Sequence, residues 1–112
     1  MARVHLSRQL TLEQRRETPD QAGGFVVSWH ALGVLWADVS ARGGGRRAGQ
    51  EVALTSVPYQ IIVRAAPVGA ASRPKPGQRF RDGGRVFLIE AVAEHDARGR
   101  YLICLTREEA WL

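Results

Sequence analysis

The sequence contains one cysteine and no long hydrophobic run, and each of these scarcities excludes a class of protein. With Cys104 alone, neither an intrachain disulfide nor a zinc site built on several cysteines can form. Apolar runs such as 24–27 and 101–105 fall far short of the roughly 18–20 residues that cross a bilayer. The first residues also lack the apolar region of a secretion signal. We therefore expect a soluble chain with no membrane partner that stays in the cytoplasm of the cell that makes it.

The length and the net charge of the chain indicate its domain organisation and the kind of partner it binds. A chain of 112 residues with 45% hydrophobic residues suits one globular domain over 1–112. Sixteen basic residues against eleven acidic ones give a net charge of +5, and fifteen of the sixteen are arginine. Arginine binds phosphate and carboxylate in a bidentate manner, which favours a polyanion or an acidic protein surface as partner. A GC-rich genome would produce the same arginine bias.

Alternating apolar and polar residues predict several half-buried strands and no long amphipathic helix. The clearest case is 59–64, where Tyr59, Ile61 and Val63 share one face. Asp82, Gly83 and Gly84 predict a tight hairpin turn, because glycine accepts the positive φ of such turns. Strands are predicted over 6–12, 25–29, 34–39, 59–64, 79–81, 85–93 and 101–106. The expected fold is all-β, a small single-domain β-barrel or sandwich of about six or seven strands with a long inserted loop at 41–57. A Pro-rich connection, expected to be extended, spans 67–77.

The last predicted strand is apolar on both of its faces, and one face is expected to be buried against another chain. Tyr101, Ile103 and Leu105 on this strand are therefore candidate interface residues. Trp111 joins them, because an indole is costly to leave in water. Cys104, among aliphatic neighbours, is predicted to be a buried structural thiol.

No arrangement of residues predicts catalysis, a metal site or a cofactor. His5, His30 and His95 lie in unrelated contexts, and none belongs to a recognisable motif. His95 has acidic neighbours on both sides, but consecutive residues in a turn rarely converge on one ion, so a solvated loop is favoured.

Two further sequence features, a glycine run and a pair of adjacent glutamates, do not predict a functional site either. The glycine run at 43–45 lacks the Gly-Lys-Ser/Thr ending of a phosphate-binding loop. Glu108 and Glu109 would point to opposite faces of a strand, which excludes a carboxylate pair and favours a solvated tail. The chain is therefore expected not to be an enzyme.

Among the aromatic residues, Phe80 alone fits the pattern of a nucleic-acid-binding barrel, because it stands between Arg79 and Arg81 and could stack on a base. A monomeric nucleic-acid-binding barrel is therefore the alternative function. The other strand aromatics are predicted to be core or interface anchors: Phe25, Trp29, Trp36 and Phe87.

The segments taken in order resemble the head–tail joining proteins of tailed phages, also called head-completion, head-closure or stopper proteins, which occur too in gene-transfer-agent particles. The similar segments are LSRQLTL at 6–12, TPDQAGGFVVSW at 18–29, LWADV at 35–39, YQIIVR at 59–64, GQRFRDGGRVFLI at 77–89 and DARGRYL at 96–102. Together they cover nearly the whole chain. The family often carries an acidic residue shortly before the tryptophan of the second strand, where this chain has Val26, Val27 and Ser28.

The resemblance implies a structural protein at the head–tail junction, the neck, of a virion or phage-like particle assembled in the bacterial host cytoplasm. It implies a small β-barrel forming a homo-oligomeric ring, a hexamer, below the portal or adaptor protein and above a tail terminator or tail tube protein. The loop at 41–57 would then project into the channel. Arg42, Arg46 and Arg47 would form a positive girdle that holds packaged double-stranded DNA without reading its sequence. A solvated loop on the outer surface is the alternative.

Overall fold

Six β-strands form the regular structure of the protein in a computed structural model that describes residues 3–42 and 56–109. Neither of these stretches contains a helix, so neither holds a helix long and apolar enough to cross a bilayer. The strands are β1 (Arg8–Pro19), β2 (Phe25–Ala41), β3 (Ser56–Arg64), β4 (Arg79–Asp82), β5 (Arg85–Glu94) and β6 (Tyr101–Glu109).

All strand pairs are antiparallel, and the sheet closes on itself in the order β1-β2-β3-β6-β5-β4. The all-β prediction is therefore confirmed, with six strands. The closed sheet is not a regular barrel, because its contacts are very unequal. The β1–β2 ladder has twelve residue pairs, whereas three pairs, from Thr11 with Arg81 to Glu13 with Arg79, join β1 to β4.

The prediction of two separate strands at 25–29 and 34–39 is wrong, because β2 runs through both as one strand of 17 residues. The register against β1 shifts between Leu12 and Glu13, which pair with Gly33 and Ala31 and leave Leu32 as an extra residue. This is a β-bulge, and Gly33 has a φ of 156°, a conformation that side chains other than hydrogen rarely allow. The glycine bends the strand without ending it.

The core lies inside the closed sheet and is built from alternate residues of every strand. It consists of Leu10, Leu12, Ala37, Ile61, Val63, Phe80, Phe87, Ile89, Leu102 and Cys104. The predictions that Phe87 and Cys104 are buried are confirmed. Burial raises the pKa of the Cys104 thiol to about 12, against a smaller lowering by Arg73, so the reactive thiolate does not form at neutral pH.

The interpretation of Phe80 as a base-stacking residue is wrong. Phe80 pairs with Phe87 across β4 and β5, and both rings are completely buried. Because successive strand residues point to opposite faces, burial of Phe80 turns Arg79 and Arg81 outward. The hairpin that places these residues is as predicted, with Asp82 opposite Arg85 and Gly83 in the turn at a φ of 60°.

The two ends of the closed sheet carry different connections. One end carries the β4–β5 turn and the points where β2 ends and β3 begins. The opposite end carries the β1–β2 hairpin, the β5–β6 turn and the Pro-rich connection. This connection is not extended as expected, because the amides of Ala70 and Arg73 donate to the carbonyls of Pro67 and Ala70 in successive turns. Pro74 and Gln78 are buried, so the connection covers this end of the core.

Replacing Phe80 with alanine tests its place in the core. Phe80→Ala should lower the free energy of unfolding by about 3–5 kcal/mol, because it leaves a cavity where a whole ring was packed. Val68→Ala is the matched control, since Val68 is 85% exposed and its change should stay within about 0.5 kcal/mol. Urea unfolding measures both, and an unaltered midpoint for Phe80→Ala would contradict the assignment.

Candidate interaction surfaces

The predicted loop arginines fall partly within the described residues. Arg42 directly follows β2, and its Nη2 donates to the carbonyl oxygen of Thr106 at 3.3 Å and lies 3.7 Å from a carboxylate oxygen of Glu90. Its side chain therefore lies across β6 and β5. Arg46 and Arg47 lie outside the described residues, as does most of the predicted loop.

The candidate interface residues on β6 lie on the outer side of the closed sheet. Tyr101, Ile103 and Leu105 are each half-buried and alternate with fully buried core residues. Leu105 lies between strand partners on β3 and β5, as Ile103 does. The outer side of this strand thus offers a partly open apolar surface. Trp111 lies outside the described residues.

Most arginines of the closed sheet are ion-paired, which the sequence alone does not reveal. Eight ion pairs form among the described residues: Arg8–Asp82, Arg15–Glu17, Arg42–Glu90, Arg79–Glu13, Arg81–Glu13, Arg85–Glu108, Arg100–Asp96 and Arg107–Glu90. Exposed pairs of this kind add little stability, but the six carboxylates in them, two of which are shared by two arginines, offset six positive charges. The net charge of +5 therefore does not give the sheet a uniformly basic surface.

Glu13 forms the most buried of these charge contacts, at the junction of β1 and β4. Its carboxylate accepts hydrogen bonds from Nε of Arg79 at 2.6 Å and from Nε of Arg81 at 2.8 Å. Burial by itself would raise the pKa of Glu13, but the hydrogen bonds and charges of the two arginines outweigh it, and the pKa is lowered. Arg79 also stacks on the ring of Trp29, with its guanidinium carbon 4.1 Å from the ring centroid.

A second charge contact involves Glu108 and corrects the prediction of a solvated tail for this residue. Strand β6 continues to Glu109, and Glu108 accepts two hydrogen bonds from Arg85, at 2.6 and 3.0 Å. The same guanidinium lies over the rings of Phe87 and Tyr59. The hydrogen bond to Glu108 raises the pKa of Arg85. This ion pair therefore holds the last residues of β6 against the first residue of β5.

The three histidines do not come together. No group of three His, Cys, Asp or Glu side chains able to hold a metal ion occurs within residues 3–42 and 56–109. Asp96, beside His95, instead accepts hydrogen bonds from the backbone amides of Arg100 and Tyr101 at 2.9 and 3.0 Å. Its carboxylate shapes the β5–β6 turn.

The sequence analysis missed that β2 carries a series of exposed apolar residues. Phe25 is 65% exposed and Trp36 53% exposed, so these two are not core residues, and the interface interpretation remains for them. Six large hydrophobic residues of β2 are exposed: Phe25, Val26, Val27, Leu32, Val34 and Trp36. Two signals in the sequence point to this surface. No charged residue occurs from Phe25 to Ala37, and Val26, Val27 and Ser28 stand where the resembled family often has an acidic residue.

Much of this surface belongs to a part of the hairpin that extends past the closed sheet. Strand β4 pairs with β1 no further than Glu13, and β3 pairs with β2 from Ala37 onward. Residues 14–19 of β1 and 25–30 of β2 therefore form a two-stranded ribbon, and residues 31–36 of β2 continue it with an open edge beside residues 9–13 of β1. Residues 14–19 and 25–36 together are here called the arm. The arm is attached to the closed sheet by the stacking of Trp29 on Arg79 and by a hydrogen bond from Gln78 to Gln14 at 2.9 Å.

Comparison with known proteins gives one family and two similar structures. Residues 1–109 match the phage head completion protein family. The chain is 53% identical to a chain in the structure of the virion of the native gene transfer agent particle, with 98% of both chains covered and a TM-score of 0.77. It is 23% identical to a protein from Shigella flexneri 2a solved in solution, with 92% of both chains covered and a TM-score of 0.60, a likeness in fold alone. No curated protein matches the chain significantly.

The lowered pKa of Glu13 predicts a pH-dependent stability. Because the pKa is lower in the folded than in the unfolded chain, the contribution of Glu13 is complete above its ordinary value of 4.5 and is lost as the pH falls through the folded pKa. Glu13→Gln should lower the free energy of unfolding at pH 7 by about 1–3 kcal/mol, since Arg79 and Arg81 lose their charged acceptor. It should also flatten the decline below pH 5.

Urea unfolding between about pH 3 and 7 measures both effects. Glu94→Gln is the control, because Glu94 is exposed and makes no ion pair within the described residues. Its curve should follow that of the wild type. Parallel curves for the wild type and Glu13→Gln would contradict the assignment.

Proposed function

The chain belongs to the phage head completion protein family, and on that premise we propose that it is a structural head–tail connector of a phage-like particle, not an enzyme. The observation that carries this proposal is the 53% identity, over 98% of both chains, to a chain of the gene transfer agent virion. The similarity covers almost the whole of this chain, so the proposal concerns the chain as one unit. The protein would act in the neck of the particle, after assembly in the bacterial host cytoplasm.

The proposed arrangement is a homo-oligomeric ring, a hexamer, with the portal or adaptor protein above it and a tail terminator or tail tube protein below. A ring requires two different contact surfaces on each subunit. The half-buried outer side of β6, with Tyr101, Ile103 and Leu105, is one apolar candidate, and Trp111 is assigned to the same interface. The exposed apolar residues of the arm form another. Two separate apolar surfaces support a structural role in which the protein binds neighbouring subunits.

Retention of packaged DNA is assigned to Arg46 and Arg47 in the segment 41–57. Their charges would recur in every subunit around the channel and bind phosphates regardless of sequence. Arg42 takes a different part in this proposal, since its guanidinium is held by the Thr106 carbonyl and by Glu90. It would fasten the start of the segment to the sheet.

The alternative, a monomeric nucleic-acid-binding barrel, has less support. It depended on a ring available for stacking between two basic residues. Phe80 is completely buried, and Arg79 and Arg81 both donate to Glu13. No observation on the described residues favours this function over the connector.

Deleting the gene in the particle-producing bacterium tests the connector function. Heads should fill with DNA and remain without tails, because the connection between portal and tail is missing. Electron microscopy of purified particles measures the fraction with tails, and expression of the wild-type chain from a plasmid should restore it. Particles that gain tails at the normal frequency without the protein would refute the proposal.

Replacing both loop arginines tests the DNA-retaining segment separately. Arg46→Ala with Arg47→Ala should leave head–tail joining intact and reduce the nuclease-protected DNA per particle several-fold at physiological salt, because phosphate contacts are lost in every subunit. Arg98→Ala is the matched control, since Arg98 is an exposed arginine in the β5–β6 turn. Equal protection in the double variant and the control would show that DNA is retained by other groups.

A further inference from the structure

The arm has two open edges. On the side of β2 away from β1, residues 25–36 pair with no strand in the part of the chain that the structure describes, because β3 begins its pairing at Ala37. On the outer side of β1, residues 14–19 likewise lie beyond the last pair with β4, at Glu13. An open edge presents a row of backbone amides and carbonyls that can pair with another strand. A two-stranded ribbon is also only marginally stable alone in water.

The open edge of β2 lacks the usual protection against pairing. Natural edge strands are short or carry lysine, proline or inward-pointing charges. Residues 25–36 contain no charged residue and no proline over twelve positions. They contain six of the exposed large hydrophobic residues, distributed over both faces of the strand because successive residues alternate. A strand with these properties is suited to a permanent partner.

The arm is held in a defined position for such a partner. Arg79, itself hydrogen-bonded to Glu13, stacks on Trp29 of β2. Gln78, which is buried, donates to Gln14 of β1. Both strands of the arm are thus attached to the closed sheet near their base. An edge fixed in advance loses less conformational entropy on binding than a mobile segment does.

We propose that the arms of neighbouring copies of this chain pair edge to edge, with β2 of one copy against β1 of the next. This inference rests on the proposed ring and names the contact that builds it. Rotation without translation brings residues 14–19 of the next copy level with residues 25–30 of β2, the residues with which 14–19 pair within each copy. In a ring whose rotation axis runs along the arm, the β1 strands of all copies are parallel to one another. Because β1 is antiparallel to β2 within each copy, the β1 of the next copy is also antiparallel to β2. The new pair therefore has the same sense as the β1–β2 pair within each copy.

Pairing of this kind uses both edges of each arm, so in a closed ring residues 14–19 of β1 and 25–30 of β2 are paired on both sides. The two contact surfaces of a subunit differ, as a ring requires. The aliphatic stems of Arg15 and Arg16 can cover apolar neighbours on β2 while their charged ends reach water. A two-fold contact of β2 with β2 would stop at a dimer and leave both β1 edges open.

Cysteine cross-linking between two differently tagged copies tests the contact within assembled particles. One copy carries Ser28→Cys on β2, and the other carries a cysteine on β1, in three versions: Gln14→Cys, Arg16→Cys or Thr18→Cys. These β1 residues share a face with Ser28, since they pair with residues 30, 28 and 26. Cys104 is buried and does not interfere. After mild oxidation, at least one combination should give a disulfide-linked dimer carrying both tags, whereas Val68→Cys with the same partners should give none.

Each other outcome overturns a defined part of the inference. A dimer of Ser28→Cys with itself would show two-fold pairing of β2 edges. A cross-link from Ser28→Cys to a different particle protein would show that another component covers the edge. Particles that contain the protein but give no cross-link at any of the three positions would refute edge pairing and leave the connector function standing. Absence of the wild-type chain from tailed particles would refute both.

Discussion

Three residue pairs between β1 and β4 close the sheet, and the hydrophobic core depends on them. Without this contact, Leu12 and Phe80, which face each other across the junction, would be open to water. The junction is short because β4 has four residues, and it is reinforced by one buried carboxylate. Glu13 on β1 accepts from Arg79 and Arg81 on β4, so an ion-paired network adds charge-assisted hydrogen bonds where the backbone ladder is shortest.

The arm is a direct consequence of these unequal strand lengths. Because β4 and β3 pair with only part of β1 and β2, the two long strands continue together past the closed sheet. Arg79 links the two regions, since one guanidinium donates to Glu13 at the junction and stacks on Trp29 in the arm. The interaction that closes the core therefore also sets the position of the arm.

Local patterns predicted the strands at 59–64, 85–93 and 101–106 and the turn at Gly83, because alternation and turn chemistry are properties of neighbouring residues. The role of Gly33 could not be predicted in this way. A glycine can end a strand or form a bulge, and which of the two occurs depends on the neighbouring strand. Here that strand is β1, and Leu12, the partner of Gly33, lies more than twenty residues earlier in the sequence. For Phe80, alternation with two arginines predicted opposite faces correctly but not which face is the core. The pairing of Glu13 with Arg79 joins residues 66 positions apart and leaves no local signal.

The positions of the charges distinguish a surface suited to protein contact from a segment suited to DNA contact, which the net charge of the chain does not. A net charge of +5 points to a polyanion, but eight arginines on the described strands and turns are ion-paired with six carboxylates. The exposed surface of β2 is instead apolar, which suits contact with protein and not with phosphate. The arm extends from one end of the closed sheet, whereas the segment holding Arg46 and Arg47 joins β2 and β3 at the other end. Contact through the arm and contact with DNA would thus be made at opposite ends of the sheet, so that a change in one need not disturb the other.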